Sequence, residues 1–369
     1  MKIDKVVIHH VEMPLVRPFR TSFGVEYVRH VGLIELTTTD GVVGWGECVS
    51  SPQPTYSHEF NDAAVLAMRD HLLPRLAGRE FTAEDVPNVF SPVRGHPMAR
   101  GALEMAALDA QLRQAGQSFA SYIGSTRTEI PCGVSVGIPV DDSIDTLLDH
   151  VNGYIEQGYR RIKLKIQPGF DIEPTRAVRS AWPEIPLQVD ANQAYSRDHI
   201  DYLAGLDEFN LLLIEQPMHE DDLVAHKWLA DRIETPVCLD ESVISVNNAE
   251  SLIDFGACEI VNIKAGRVGG YLEAKKIHDM AFARGIPVWC GGMEETGVGR
   301  AANMAFASLP GCTLPGDTSG SDRFYAPDVT EPFVMGADGM MQVPTEPGIA
   351  RVPIPEILAS ITVATEVLA

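Results

Sequence analysis

Arg161-Ile162-Lys163-Leu164-Lys165, Pro186-Leu187-Gln188-Val189-Asp190, Leu211-Leu212-Leu213-Ile214-Glu215, Pro236-Val237-Cys238-Leu239-Asp240 and Glu259-Ile260-Val261-Asn262-Ile263-Lys264 are short, largely apolar runs, each closing on a charged side chain. By subtraction, the closing residues stand 25, 25, 25 and 24 positions apart. A period of about 25 residues fits one strand and one returning helix, the unit of parallel barrels and doubly wound sheets. Such folds gather their chemistry at the carboxyl ends of the strands. One acid there could be a solvated loop residue. Three acids flanked by lysines at one period make a candidate site.

Working outward, the runs Gly133–Gly137, Ile286–Cys290 and Cys312–Asp317 bring the candidate strands to eight, with helical stretches between. Eight is the number that closes a (β/α)8 barrel, so a TIM-like barrel is expected over residues 131–318. An open Rossmann sheet is disfavoured. The nearest match to its glycine fingerprint, Gly266-Arg267-Val268-Gly269-Gly270, has the wrong spacing and lies late in the chain. Residues 1–125 read as an α+β unit. Strand patterns cover Lys2–Val11, Val31–Thr38 and Val42–Val49, with an Asp40-Gly41 turn. Helical patterns lie near Asn61–Leu73 and Met98–Gln114, where Leu103, Ala106 and Ala110 recur at helical spacing. Ser125–Pro131 reads as the boundary. The tail, 319–369, is expected to return to the first unit through Phe333–Met335 and Met341–Val343, making a discontinuous capping domain.

At 369 residues, two domains are the default. The formal charge of -22 argues against a nucleic-acid partner, whose recognition needs a basic footprint. It also means that an anionic substrate must meet local positive charge, from lysines or a metal. No apolar run approaches spanning length and no signal-peptide core opens the sequence, so no membrane association and a cytoplasmic location are expected. Six cysteines without a CxxC pair read as buried free thiols. Self-association as a homo-oligomer is also expected.

Counted from Gly133, Lys163 and Lys165 fall on the second strand and Lys264 on the sixth, opposite it in a ring of eight. Asp190, Glu215 and Asp240 fill the arc between. Three carboxylates without cysteine or histidine suit a hard cation, Mg2+ or Mn2+. Lys163 and Lys165, two apart on a strand, face the same way. Side by side they are expected to depress each other's pKa, which favours a neutral general base. Lys165, nearer the strand end, is the better base, and Lys163 has the alternative of a structural ion pair. The chemistry implied is removal of the proton alpha to a carboxylate, the enediolate being stabilised by a divalent ion. Two opposed lysines allow racemisation. One lysine, with a leaving group on the next carbon, allows dehydration.

The motifs Lys163-x-Lys165, Asp190-Ala191-Asn192, Glu215-Gln216-Pro217, Asp240-Glu241-Ser242, Asn262-Ile263-Lys264 and Gly291-Gly292-Met293-x-Glu295-Thr296-Gly297 resemble the enolase superfamily, muconate-lactonizing subgroup. The resemblance runs from Met13 to Ile354 and is strongest to the branch of o-succinylbenzoate synthases and N-succinylamino acid (N-acylamino acid) racemases. It implies that Asp190, Glu215 and Asp240 are metal ligands and that Lys165 and Lys264 are the acid/base pair. It implies that Asn192 and Glu241 support them, and that Ser135 with Gly291, Gly292 and Met293 holds the substrate's distal carboxylate. Arg17–Gly24 resembles a mobile lid whose Phe19 and Phe23 close over an apolar part of the substrate, though simple rim packing is an equal alternative. Arg267, three residues past Lys264, resembles the arginine of racemase-capable members and would tune that lysine. Two departures stand out: Ala265 replaces a common proline, and Glu294 replaces an apolar residue, a change that would suit a polar or cationic side chain or else point to solvent.

The resemblance therefore implies a small carboxylate substrate and an N-succinylamino acid racemase with o-succinylbenzoate synthase activity. A dedicated synthase of menaquinone biosynthesis is the alternative. A dipeptide epimerase is less favoured, because Gly316-Asp317-Thr318-Ser319 lacks the expected acidic motif. A metal-free Schiff-base aldolase and a non-catalytic binding barrel are the readings from other classes.

Overall fold

The computed structural model describes residues 1–349 and 351–369. The chain opens with three antiparallel strands, β1 (Ile3–Thr21), β2 (Gly24–Thr38) and β3 (Val43–Cys48). β1 is far longer than its sequence pattern suggests, because it continues through the lid segment. Its pairing with β2 skips between Pro14 and Phe19 and resumes to Thr21–Gly24. Pro14 and Pro18 have no amide to donate, so the ladder breaks there and the sequence reads as loop. Residues 17–24 are thus the tip of a long hairpin.

The helix Pro97–Ala115 lies against β3 with Leu103, Ala106 and Ala110 buried, as their spacing implies. Approach is close because β3 carries Gly44 and Gly46: a Cβ on Gly44 would lie 2.2 Å from the Ala106 carbonyl oxygen. The helical pattern starting at Asn61 reaches Leu76, with a widened turn at Met68–Leu72.

After β4 (Glu129–Pro131) comes a parallel sheet of β5 (Gly133–Val136), β6 (Arg161–Lys165), β7 (Leu187–Asp190), β8 (Ile214–Glu215), β9 (Val237–Leu239), β10 (Ile260–Ile263) and β11 (Val288–Cys290), in that spatial order. Both faces are covered, which is why these strands read as continuous apolar runs rather than alternating ones. Ser143, Asp171, Asp222, Ser245 and Thr296 cap the amino ends of the intervening helices with their side-chain oxygens. The expected eighth strand, Cys312–Asp317, closes the ring without forming a regular strand. It makes single bridges, Val288–Cys312 and Cys132–Gly316. Pro315 cannot donate, and the Arg161 guanidinium enters the seam instead, donating to the Pro315 carbonyl and to Asp317 Oδ1, both at 2.9 Å.

Two carboxylates seat the first unit on the barrel. Glu47 on β3 accepts from the amides of Thr296 (3.0 Å) and Gly299 (2.9 Å), and Glu104 accepts from Leu272 (3.0 Å). These amides open the helices Gly297–Ala307 and Tyr271–Ala283. Helix amino ends follow the carboxyl ends of barrel strands, so the cap is held over the face where chemistry is expected.

The tail differs from expectation. Phe333–Met335 forms no strand, and β12 (Met340–Gln342) pairs with β4, not with the first sheet. The return is made by β13 (Thr362–Val367), which follows the helix Pro355–Ile361 and pairs with the edge of β1. All six cysteines are buried and free. Among the described residues no helix is long and apolar enough to cross a membrane.

Gly44→Ala should lower stability by about 1–3 kcal/mol, since the helix must retreat from β3. Urea denaturation checks this, and an unchanged midpoint would contradict the close approach.

Candidate active site

Strand register sets the site. Lys165 pairs with Asp190 across β6 and β7, and Asp190 pairs with Glu215 across β7 and β8. Residues level with each other on adjacent strands point to the same side, so the three form one row at the barrel mouth. Asp240 follows the last residue of β9 and Lys264 the last of β10. All five are buried, together with Lys163.

Cations flank and bridge the acids of this row. Lys163 Nζ lies 2.6 Å from Asp317 Oδ2, 3.0 Å from Glu215 Oε2 and 3.3 Å from Asp190 Oδ2. Lys165 Nζ donates to Asp190 Oδ2 at 2.6 Å and to Asn192 Oδ1 at 2.7 Å. Asn192 donates in turn to Glu241 Oε1 at 3.1 Å. Lys264 Nζ is 2.8 Å from Asp240 Oδ2, and Arg267 Nη2 is 2.9 Å from Asp240 Oδ1. Asn262 donates to Glu215 Oε1 at 2.7 Å.

Mutual depression of the lysine pair is not what governs Lys163. Burial pulls its pKa down, but Asp317, Glu215 and Asp190 outweigh both burial and Arg161, and the group is held well above the ordinary lysine value. Lys163 is therefore a structural cation. Burial also pulls Lys264 down, but Asp240, with Tyr56 and Glu241, outweighs it and holds the group well above the ordinary lysine value. Burial works against the charged form of Asp240, yet Lys264 and Arg267 hold its carboxyl below the usual range. Glu215 is pushed up to about 7 by burial and then by Asp190, with Lys163 pulling the other way.

The expected cage of three acids is not drawn together. Among the described residues no three acidic, histidine or cysteine side chains stand close enough to hold a metal ion, because ammonium groups stand between them. The donor set still fits a hard divalent cation. Every available donor is oxygen, the Glu215 carboxyl is crowded by Asp190 and Asp240, and Oε2 of Glu241 is buried without a partner.

Lys165 and Lys264 line a single cavity of about 560 Å³ with Phe19, Phe23, Asn192 and Tyr56. Gly292, Met293 and Glu294 also face it. Ser135 lines a smaller, deeper pocket with Gly292, and its hydroxyl is buried without a partner. Gly291 faces neither pocket. A Cβ there would meet Asn262 Oδ1 at 2.2 Å, so this glycine serves packing behind the wall. Phe19 sits edge-on to Phe324, their centroids 6.0 Å apart, and Phe23 leans on Tyr56 at 5.6 Å.

Sequence reasoning missed Tyr56 and Asp317. The Tyr56 hydroxyl is 3.1 Å from Lys264 Nζ and comes from an irregular segment with no periodic signal. Asp317 was accessible, since it closes the eighth run just as the other acids close theirs.

A parallel barrel with lysines on opposed strands, acids between and an α+β cap over the mouth defines an enzyme of carbon-acid chemistry. Residues 3–124 match the family of the mandelate racemase / muconate lactonizing enzyme N-terminal domain, and residues 146–354 match the enolase C-terminal domain-like family. The chain belongs to the enolase superfamily, in the branch of N-succinylamino acid racemases and o-succinylbenzoate synthases. It is 56% identical to an N-succinylamino acid racemase of Amycolatopsis sp, over 99% of this chain and 98% of that protein. It is 43% identical to an o-succinylbenzoate synthase of Geobacillus kaustophilus, over 95% of this chain and 93% of that one. The crystal structure of an enolase-superfamily protein from Listeria innocua superposes with a TM-score of 0.95 at 40% identity, covering 100% of both chains.

Lys163→Met removes the cation shared by Asp190, Glu215 and Asp317 and should destabilise the metal-free protein by about 3–5 kcal/mol. A loss below about 1 kcal/mol in urea denaturation would contradict the role given to Lys163.

Proposed function

We propose that this enzyme racemises N-succinyl (or other N-acyl) amino acids by removing and returning the proton alpha to their carboxylate, and that the same site dehydrates the precursor of o-succinylbenzoate. One observation carries the reading: Lys165 and Lys264, from β6 and from the end of β10, reach a single cavity with three buried carboxylates on the strands between. The names borne by the relatives at 56% and 43% identity support the choice of substrates.

Asp190, Glu215 and Asp240 would hold a divalent ion, Mg2+ or Mn2+, with Glu241 and Asn192 beside them. When bound, it would supply positive charge to the substrate carboxylate and to the enediolate oxygens. The remaining work belongs to side chains. Lys165 takes the α-proton on one face, the C–H electron pair passes into the enediolate, and Lys264 delivers a proton to the other face. In the reverse direction the two exchange roles. For dehydration, the intermediate expels the hydroxyl of the neighbouring carbon as water with the proton that Lys165 carries, and Lys264 serves only as a cation. Arg267 shares Asp240 with Lys264, so it competes for the carboxylate that would otherwise hold that ammonium alone. This placement favours Lys264 as a working base, which only racemisation requires.

Lys165→Ala and Lys264→Ala should each lower racemisation by at least about 10²–10⁴-fold in a polarimetric assay of N-succinyl amino acids. Near-parental turnover in either would refute the two-base assignment. Asp240→Asn should weaken Mg2+ activation by more than about tenfold, and an unchanged Mg2+ titration, or full activity in EDTA, would refute the ligand set.

A further inference from the structure

The cavity that receives Lys165 and Lys264 also carries two carboxyl groups, Glu26 and Glu294. Glu26 comes from β2 in the capping domain and Glu294 from the turn after β11, so the pair spans the two halves of the molecule. Glu294 takes a left-handed backbone conformation, φ 57°, which a residue with a side chain rarely adopts without reason. The two carboxyls share one wall of the cavity. Burial, then Glu26, pushes the Glu294 carboxyl up to about 8, against the pull of Arg29 and Arg323.

The charges around the pair leave one position unmatched. Arg29 is 3.5 Å from Glu26 and balances one negative charge, its other bonds going to Val49 O at 2.6 Å and Ser51 Oγ at 3.2 Å. Arg323 donates to Ser135 O at 2.7 Å with its guanidinium over Phe19 and Phe324, and among the described residues it forms no ion pair with either carboxyl. Tyr325 donates to the Glu294 carbonyl, not to its carboxyl. Oε1 of Glu294 is shielded from solvent and accepts from nothing among the described residues. Two carboxyls with one ion-paired cation thus leave room for a second cation that donates to Oε1.

We propose that Glu26 and Glu294 recognise an ammonium or guanidinium group on the substrate side chain, making N-acyl derivatives of basic amino acids the preferred ligands. The inference rests on the racemase reading for the reacting end of the substrate, but its test requires only binding. Calorimetry on the full chain in Mg2+ compares N-succinyl-L-lysine with N-succinyl-L-norleucine, which lacks the terminal amine. The lysine derivative should bind at least about tenfold more tightly, and Glu294→Gln and Glu26→Gln should each erase most of that preference. Equal or tighter binding of the norleucine derivative, binding of neither, or a preference that survives both substitutions would overturn the proposal. Tight, pair-dependent binding of the lysine derivative without α-proton exchange would uphold it and count against racemisation instead. Racemisation of the norleucine derivative with no lysine preference would do the reverse.

Discussion

Pairing of buried acids with buried cations inside the barrel is the constraint on which the rest of the molecule depends. Arg161, Lys163, Lys165, Lys264 and Arg267 are all buried, as are Asp190, Glu215, Asp240 and Glu241, with Asp317 at their edge. None of these groups could be desolvated alone, because burying an unpaired charge costs more than a domain's whole stability margin. Most are tolerable because opposite charges lie within ion-pair distance, Lys163 beside Asp190 and Glu215, Lys165 beside Asp190, and Lys264 and Arg267 beside Asp240. Glu215, set between two acids, has its carboxyl pushed up. Strand register supplies that arrangement: a shift of one residue on β7 would turn Asp190 towards the helices and leave Lys163 and Lys165 short of a partner. The ion pairs are thus a condition of the barrel as well as the material of its chemistry.

The capping domain completes the site. Its attachment through Glu47 and Glu104 to the amino ends of two barrel helices fixes it over the strand ends. From there the β1–β2 hairpin supplies Phe19 and Phe23, and the segment after β3 supplies Tyr56. The cavity therefore has a floor of charged groups set by the barrel and a wall set by the cap. This division lets the acid–base chemistry stay constant while residues such as Glu26 alter what the wall accepts.

The barrel was legible because its strands are buried on both faces, so each reads as an apolar run, and because its acids end those runs at a fixed period. The roles of Lys163 and Gly291 were less legible, since they depend on what other strands bring beside them: Asp317 for one, Asn262 for the other. Neither partner is near in sequence. The hairpin tip was hidden by Pro14 and Pro18, which interrupt the ladder without ending it. β13 is an edge strand with no buried side chain, so its apolar residues follow no two-residue alternation and give no strong signal. Tyr56 lies in irregular chain, where periodicity says nothing.

Two amines that address opposite faces of one carbon leave a stereochemical signature. Deuterium incorporation at the α-carbon in D2O, followed separately for the D and L enantiomers of an N-succinyl amino acid, tests it most directly. Lys264→Ala should still exchange one enantiomer, and Lys165→Ala only the other. Loss of the same enantiomer's exchange in both variants would contradict it.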